Sequence, residues 1–509
     1  MGTKAHMKCN SLTCFTSHFA SLHIPPSTLA APSSSARREQ TAMSGVKTIL
    51  IPCAPINTPH LPTGTTEIPI APLGLVSGHP ILWFYAFEGA LDEARLVRAI
   101  GLLTSVWPTL AGRYQREVGG NGEVAFSIRL CASPIPFETQ SIERDHAFPD
   151  KRFIQPAEDN PYIPTLPVNF RTLNSESHLF SVSLTTLLPS GKSVLGFQMS
   201  HLAQDSESGV RVLLLLEALY LRGQDALESI PPNAAYALPT FFPDVGPLPV
   251  YVPSQNQGEI VPSQPSAAAL QAYLDAKKDL SMVFVQLSMW EVKILKAQYR
   301  QDVGFYLSDQ DVISTWWIDL LRRVGVDVPI VIYVLNYRRW CIGHPSFPPS
   351  LPTLSGTASL TRPIDISSQT SPARVATAIR EHVVQLRSSP DKVLEWISDG
   401  AYHFRQAAVE GKTPALMPEG QVKINSSIRS YWPLFGFGEH EVSYHTSFTA
   451  PRVLRVFLAN PAKQGEARGE RLELYFDVNK EDVEKVERLV ERDKAGWKMK
   501  AAGMPRARL

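Results

Sequence analysis

A chain of 509 residues exceeds what one hydrophobic core holds, because such cores stop growing at about 250–300 residues, so two domains are expected. Its 44% hydrophobic and 19% charged residues suit a soluble globular protein, and a net charge of +1 argues against nucleic acid or an anionic membrane as the main partner. Five scattered cysteines argue against a disulfide framework, no Cys/His group has zinc-ligand spacing, and no apolar run reaches the about 20 residues that span a bilayer.

Residues 1–38 contain no Asp or Glu, are rich in Ser and end in Arg37-Arg38. Residues 1–42 read first as a leader outside the fold, with Met43 as the working start, and second as an organelle transit segment; the first reading puts the protein in the cytosol. Asp92 and Glu93 open a helix whose apolar residues Leu96, Val97, Ile100 and Leu103 recur with the helical period. Trp107-Pro108 ends it. Two apolar runs within 179–199 flank Pro189-Ser190-Gly191-Lys192 and predict a hairpin. Its second run stops just before His201, and a strongly apolar helix, interrupted by Arg211 and Glu217, is expected from Val210 to Leu221.

Residues 229–268 turn rich in Pro, Ser, Gln and Asn, which predicts a crossover between two halves. We place an N-terminal domain at 43–245, the linker at 246–275 and a C-terminal domain at 276–509. The second half opens with a helix near 309–322, and another starts at Ser371, a good N-cap, with Pro372 in the first helical position. Its inward stripe is Val375, Ile379, Val383 and Leu386. Val453–Ala459 predicts a strand, and Leu472, Leu474, Phe476 and Val478 alternate as another. Asn479 with Asp482 resembles a capping box before a last helix that turns Val483, Val486 and Val490 inward.

The sharpest local feature is Ser200-His201-Leu202-Ala203-Gln204-Asp205, a His-x-x-x-Asp at the end of an apolar strand. A strand end ahead of a helix exposes a side chain on a rigid base, and a histidine near its ordinary pKa of about 6.5 can take and return a proton at neutral pH. The acid four residues on either orients the imidazole or braces the loop by pairing with a base elsewhere; spacing does not separate the two.

Further motifs accompany it. Trp107-Pro108-Thr109-Leu110-Ala111-Gly112-Arg113 precedes it, Asn336-Tyr337-Arg338 follows, and Leu434-Phe435-Gly436-Phe437-Gly438-Glu439 comes late. In order and rough spacing, over about residues 48–490, the set resembles the BAHD acyl-CoA-dependent acyltransferases, and its departures resemble fungal-type members. The resemblance implies an α/β fold of two chloramphenicol-acetyltransferase-like domains, each a mixed sheet with flanking helices. It also implies a channel between them, where acyl-CoA enters as cosubstrate and a small hydroxyl- or amine-bearing acceptor meets it. His201 would be the general base, Asp205 would form a structural ion pair with Arg338, and Gly436, Phe437 and Gly438 would border the channel. No permanent cofactor and no metal would be needed, and a monomer is expected.

Other readings stay open. Arg339 competes with Arg338 for Asp205. Phe435 and Phe437 read as core aromatics ahead of ligand contacts, Trp316 and Trp317 as packing, and His440 and His445 as ordinary loop histidines. Ser206 replaces the family's usual Gly, Leu434 its Asp and Phe437 its Trp, so the late loop must be held by something other than a Leu434 ion pair. A condensation-type domain with a carrier-bound donor shares the fold, although it usually shows a second His where Ser200 stands. A non-catalytic ligand-binding descendant is the remaining alternative.

Overall fold

The computed structural model describes residues 45–57, 61–71, 74–75, 80–120, 124–143, 148–155, 160–164, 176–230, 236, 263–303, 306–414, 420–428, 436–438, 441–447, 450–461 and 469–502. The leader, most of the expected linker and Leu434, Phe435 and His440 lie outside these residues. The first half carries β1 (Lys47–Ile51), β2 (Glu67–Pro69), β3 (Ile81–Phe87), α1 (Glu93–Val106), β4 (Arg113–Val118), β5 (Val124–Arg129) and β6 (Ile135–Ile142). It continues with β7 (Phe180–Leu187), β8 (Ser193–Met199), α2 (Ser206–Arg222) and α3 (Asp225–Glu228). The second half begins with β9 (Ser263–Pro265), α4 (Ser266–Lys278), β10 (Leu280–Ser288), α5 (Met289–Val303), α6 (Asp309–Arg323), β11 (Ile330–Asn336) and β12 (Ser359–Asp365). It ends with α7 (Pro372–Arg387), α8 (Pro390–Val409), β13 (Lys412–Pro414), β14 (Gln421–Ser426), β15 (Val442–Thr446), β16 (Val453–Leu458), β17 (Arg471–Asn479) and α9 (Val483–Ala502).

Two six-stranded mixed sheets organise the chain, in the orders β1-β6-β7-β8-β3-β15 and β10-β17-β16-β14-β11-β12. The expected hairpin is β7 and β8, paired from Phe180↔Met199 to Thr186↔Ser193. Both strands are almost wholly buried, β7 alternating apolar residues with Ser and Thr and β8 carrying the more continuous apolar run. Helices α1 and α2 bury Leu96, Ile100, Leu103, Val212, Leu216 and Leu219 in the core that holds Tyr85 and Phe197. Strand β15 is the exception to halves that follow the sequence: it pairs with β3 from Val442↔Phe87 to Thr446↔Trp83 and so completes the first sheet from the second half of the chain.

Local signals hold where they are local. Asp92 caps α1 by accepting from the Arg95 N–H, and Ser371 caps α7, whose buried stripe contains Val375, Ile379, Val383 and Leu386. Three expectations change. Helix α2 starts at Ser206, four residues before its apolar run, because Asp205 caps a polar first turn. Residues 266–275 of the expected linker belong to helix α4. Asn479 makes no capping bond to the backbone: a 3-10 turn, Lys480–Asp482, intervenes, and its side chain meets that of Asp482 instead.

The face of α2 toward the sheet is set by Gly209, where an added Cβ would lie 2.0 Å from Trp83 Cη2. Alanine would gain about 1 kcal/mol of helix propensity. Overpacking typically costs about 1–3 kcal/mol, so Gly209→Ala should lower the denaturation midpoint. An unchanged midpoint would mean that Trp83 yields without cost.

Candidate active site

Strand β8 delivers the chain into the site. The Ser200 N–H donates to the Leu179 carbonyl at 2.8 Å, a turn carries His201 to Ala203, and Asp205 begins α2. Asp205 and Ser208 form a reciprocal capping box: the Ser208 N–H donates to Asp205 Oδ1 at 3.1 Å, and the Asp205 N–H to Ser208 Oγ at 2.9 Å. Ser206 is the first helical residue and is exposed, so the side chain that replaces the usual Gly meets no packing conflict.

The partner of Asp205 is Arg338. Its Nη1 and Nη2 donate to the two carboxylate oxygens at 2.7 and 3.0 Å, and the Ala358 N–H donates to Oδ2 at 3.0 Å. Arg338 is fully buried and also donates to the carbonyls of Leu354 and Gly356. Asn336 fixes the turn that presents it, accepting from the Arg338 N–H at 3.0 Å while donating to Glu207 on α2. Arg339, the competing candidate, is exposed and stands 3.7 Å from Glu207. Burial pushes the Asp205 carboxyl up, but the Arg338 charge and the hydrogen bonds outweigh it and hold the pKa at about 2.

The Asp205 carboxylate is thereby saturated by donors other than His201, which decides for the brace over the orienting acid. Breaking a buried pair leaves the other charge uncompensated, at a cost of about 3–5 kcal/mol. Asp205→Asn should lose stability on that scale in urea unfolding at neutral pH. The depressed pKa gives the sign: the contribution is full above the unfolded value of about 3.9 and disappears as pH falls through about 2.

His201 is half-buried. Its Nδ1 is buried with no hydrogen-bond partner among the described residues. Burial lowers its pKa below 6.5; the Asp205 charge works against this and the Arg455 charge with it. The imidazole is therefore neutral at pH 7, the state a base requires. Arg455 belongs to β16, so the second sheet reaches the histidine electrostatically.

The late motif is held by α2. Glu217 Oε1 accepts from the Gly436 and Phe437 N–H groups, each at 2.7 Å. This carboxylate supplies an anchor that Leu434 lacks the chemistry to provide. Phe437 has a left-handed backbone, φ 47°, and its buried ring packs edge-on against Phe87 at 5.6 Å and Tyr220 at 5.4 Å. Its ring belongs to the first hydrophobic core. Gly438 has φ 111°, a conformation that needs glycine. His445 is buried too, stacked on Phe84 with Nδ1 2.7 Å from the Arg152 carbonyl, and burial pushes it down to about 4. Trp316 and Trp317 pack in the second core, Trp316 donating to Asp493 at 2.9 Å. In the sequence Glu217 is only a break in an apolar helix, and a lone carboxylate on such a face is the signal of its role. Glu217→Ala should cost about 1–3 kcal/mol by stranding two N–H donors, and Glu217→Gln should recover most of it in the same unfolding assay.

A cavity of about 1230 Å³ is bordered by Glu207 and Val210 of α2, Asn336 of β11 and Arg380 of α7. His201 does not line it. Tyr306, which does, is ringed by cations: Lys296 at 4.9 Å, Arg380 at 5.9 Å and Arg300 at 6.0 Å from the ring centre.

No family model and no curated protein matches the chain. Solved structures do. Vinorine synthase superposes with a TM-score of 0.54 at 16% identity, over 87% of this chain and 96% of that one. TRI101 of F. graminearum, complexed with coenzyme A and T-2 mycotoxin, gives 0.57 at 13% identity, over 83% and 97%. The X-domain from teicoplanin biosynthesis gives 0.52 at 14% identity, over 85% and 95%. The mixed α/β fold with two helix-flanked sheets is the fold of these structures, as the motif resemblance implied.

Proposed function

We propose that this protein is an acyl-CoA-dependent acyltransferase that moves an acyl group onto a hydroxyl or amine of a small acceptor, with His201 as general base. The observation that carries the reading is a half-buried histidine on a strand-to-helix loop that the Asp205–Arg338 ion pair braces. The fold supports it, since one structural neighbour was crystallised with coenzyme A.

With Nδ1 buried in the loop, Nε2 is the nitrogen left for a substrate. It takes the proton of the acceptor O–H or N–H as the heteroatom attacks the thioester carbonyl carbon. The tetrahedral intermediate collapses, the C–S bond breaks, and the imidazolium returns the proton to the CoA thiolate. The chain's contribution is to position the reactants and carry one proton.

Free-thiol release from a panel of acyl-CoAs with pooled alcohols and amines tests the reading. Acceptor-dependent release should fall by about 100- to 10,000-fold in His201→Ala. Because the base must be neutral and its pKa is lowered, the rate should rise with pH through a midpoint below 6.5 and then level off. No release from folded protein with any donor overturns it.

A further inference from the structure

Strands β7, β8, β3 and β15 set their residues in rows across the first sheet. Phe180, Val182, Leu195 and Phe197 enter the core beneath α1 and α2, so the residues between them lie on the opposite face. That face carries Thr185, Val194, Ala86 and Ser443 in one row, Ser183, Gly196, Phe84 and His445 in the next, and Ser181, Gln198 and Leu82 in a third. Ser447 follows Thr446, the partner of Trp83, and so comes beside Leu82 at the end of the third row. This row is the nearest of the three to His201: Gln198 stands three residues before it, about 10 Å of extended chain.

The hydroxyls of the first two rows are used inside the protein. Ser183 donates to the Tyr162 carbonyl at 2.7 Å, Thr185 accepts from Gln140 at 3.0 Å and Ser443 from Lys151 at 3.1 Å. The third row differs. Ser181 Oγ, Gln198 Oε1 and Ser447 Oγ have no hydrogen-bond partner among the described residues, although these residues are only 0%, 7% and 8% exposed. One row back, His445 meets the Arg152 carbonyl through Nδ1, so that nitrogen carries the proton, and Nε2, also without a partner, is an acceptor. Buried polar atoms are nearly always paired, and a cluster of exceptions at one place marks where a water or a ligand group binds. The open atoms belong to an amide, two hydroxyls and an imidazole that burial keeps neutral. Their complement is a neutral hydroxyl, because a charge buried there would meet no counter-charge in the row.

We propose that Ser181, Gln198 and Ser447 form a subsite beside His201 for a second, non-reacting hydroxyl of the acceptor, which makes that acceptor a neutral diol or polyol. The subsite rests on the acyl-transfer reading for its place in a reaction; its own test is one of binding.

Ligand-observed NMR titration of the intact protein compares cyclohexanol with 1,2-, 1,3- and 1,4-cyclohexanediol. At least one diol should bind about three- to tenfold more tightly than the mono-alcohol, the order of one neutral hydrogen bond. Ser181→Ala and Gln198→Met should each lower that ratio toward one, whereas Ser183→Ala, in a row whose hydroxyls are used internally, should keep it. No diol preference, which is also the result if the row holds only water, overturns the subsite, and so does a preference that neither substitution lowers. Failure of the acyl-CoA reading has another signature: no thiol is released from any acyl-CoA, while the Ser181- and Gln198-dependent preference for a diol persists. Ser181→Ala removes an oxygen with no partner among the described residues and should leave the unfolding midpoint unchanged or higher; a lower midpoint marks a structural hydroxyl and counts against the proposal. Where Gln198→Met does not fold, Gln198→Asn draws the amide back by one methylene and should weaken the preference; an undiminished preference there opposes the proposal.

Discussion

The ion pair between Asp205 and Arg338 is the constraint around which the site is built. Two charges withdrawn from water are tolerated only when every lone pair and donor is used, and here the carboxylate meets both guanidinium nitrogens, two backbone N–H groups and Ser208. The same carboxylate caps α2, so the start of that helix, the turn carrying His201 and the loop after β11 take their positions together. The histidine inherits a rigid setting from a neighbour that never touches it.

Helix α2 extends that constraint across the molecule. Near its start, Arg211 donates to the Thr353 and Leu354 carbonyls, beside the Leu354 oxygen that Arg338 also uses. Less than two turns on, Glu217 holds the late loop by two backbone N–H groups. Each polar interruption of this apolar helix is thus a tie to a distant segment. The late loop leads into β15, which pairs with β3, which pairs with β8. The path returns to His201 through backbone hydrogen bonds.

The two halves are interlocked at their seam. The Phe153 N–H donates to the buried Glu473 carboxylate at 2.7 Å, and Asn460 binds both the Tyr444 backbone and the Lys151 carbonyl. With β15 donated to the first sheet, the crossover in sequence is not a boundary in hydrogen bonding. A wall built from both halves is what lets Arg455, on the second sheet, act on His201.

What the sequence determined by itself is what near neighbours in the chain decide. Helix stripes such as Val375 to Leu386, the Ser371 and Asp92 caps, the β7–β8 hairpin and the alternation of β17 all arise from contacts within a few residues, and all were legible. So was His201 as the candidate base. Only the tertiary structure decided the role of Asp205, because the choice between orienting acid and brace turns on an arginine 133 residues away. It also decided that Glu217 anchors the late motif, that Phe437 is core, and that Ser181, Gln198 and Ser447 share one row. Alternation shows that a strand has two faces; which residues share a row across a sheet depends on how strands from interleaved parts of the chain come together.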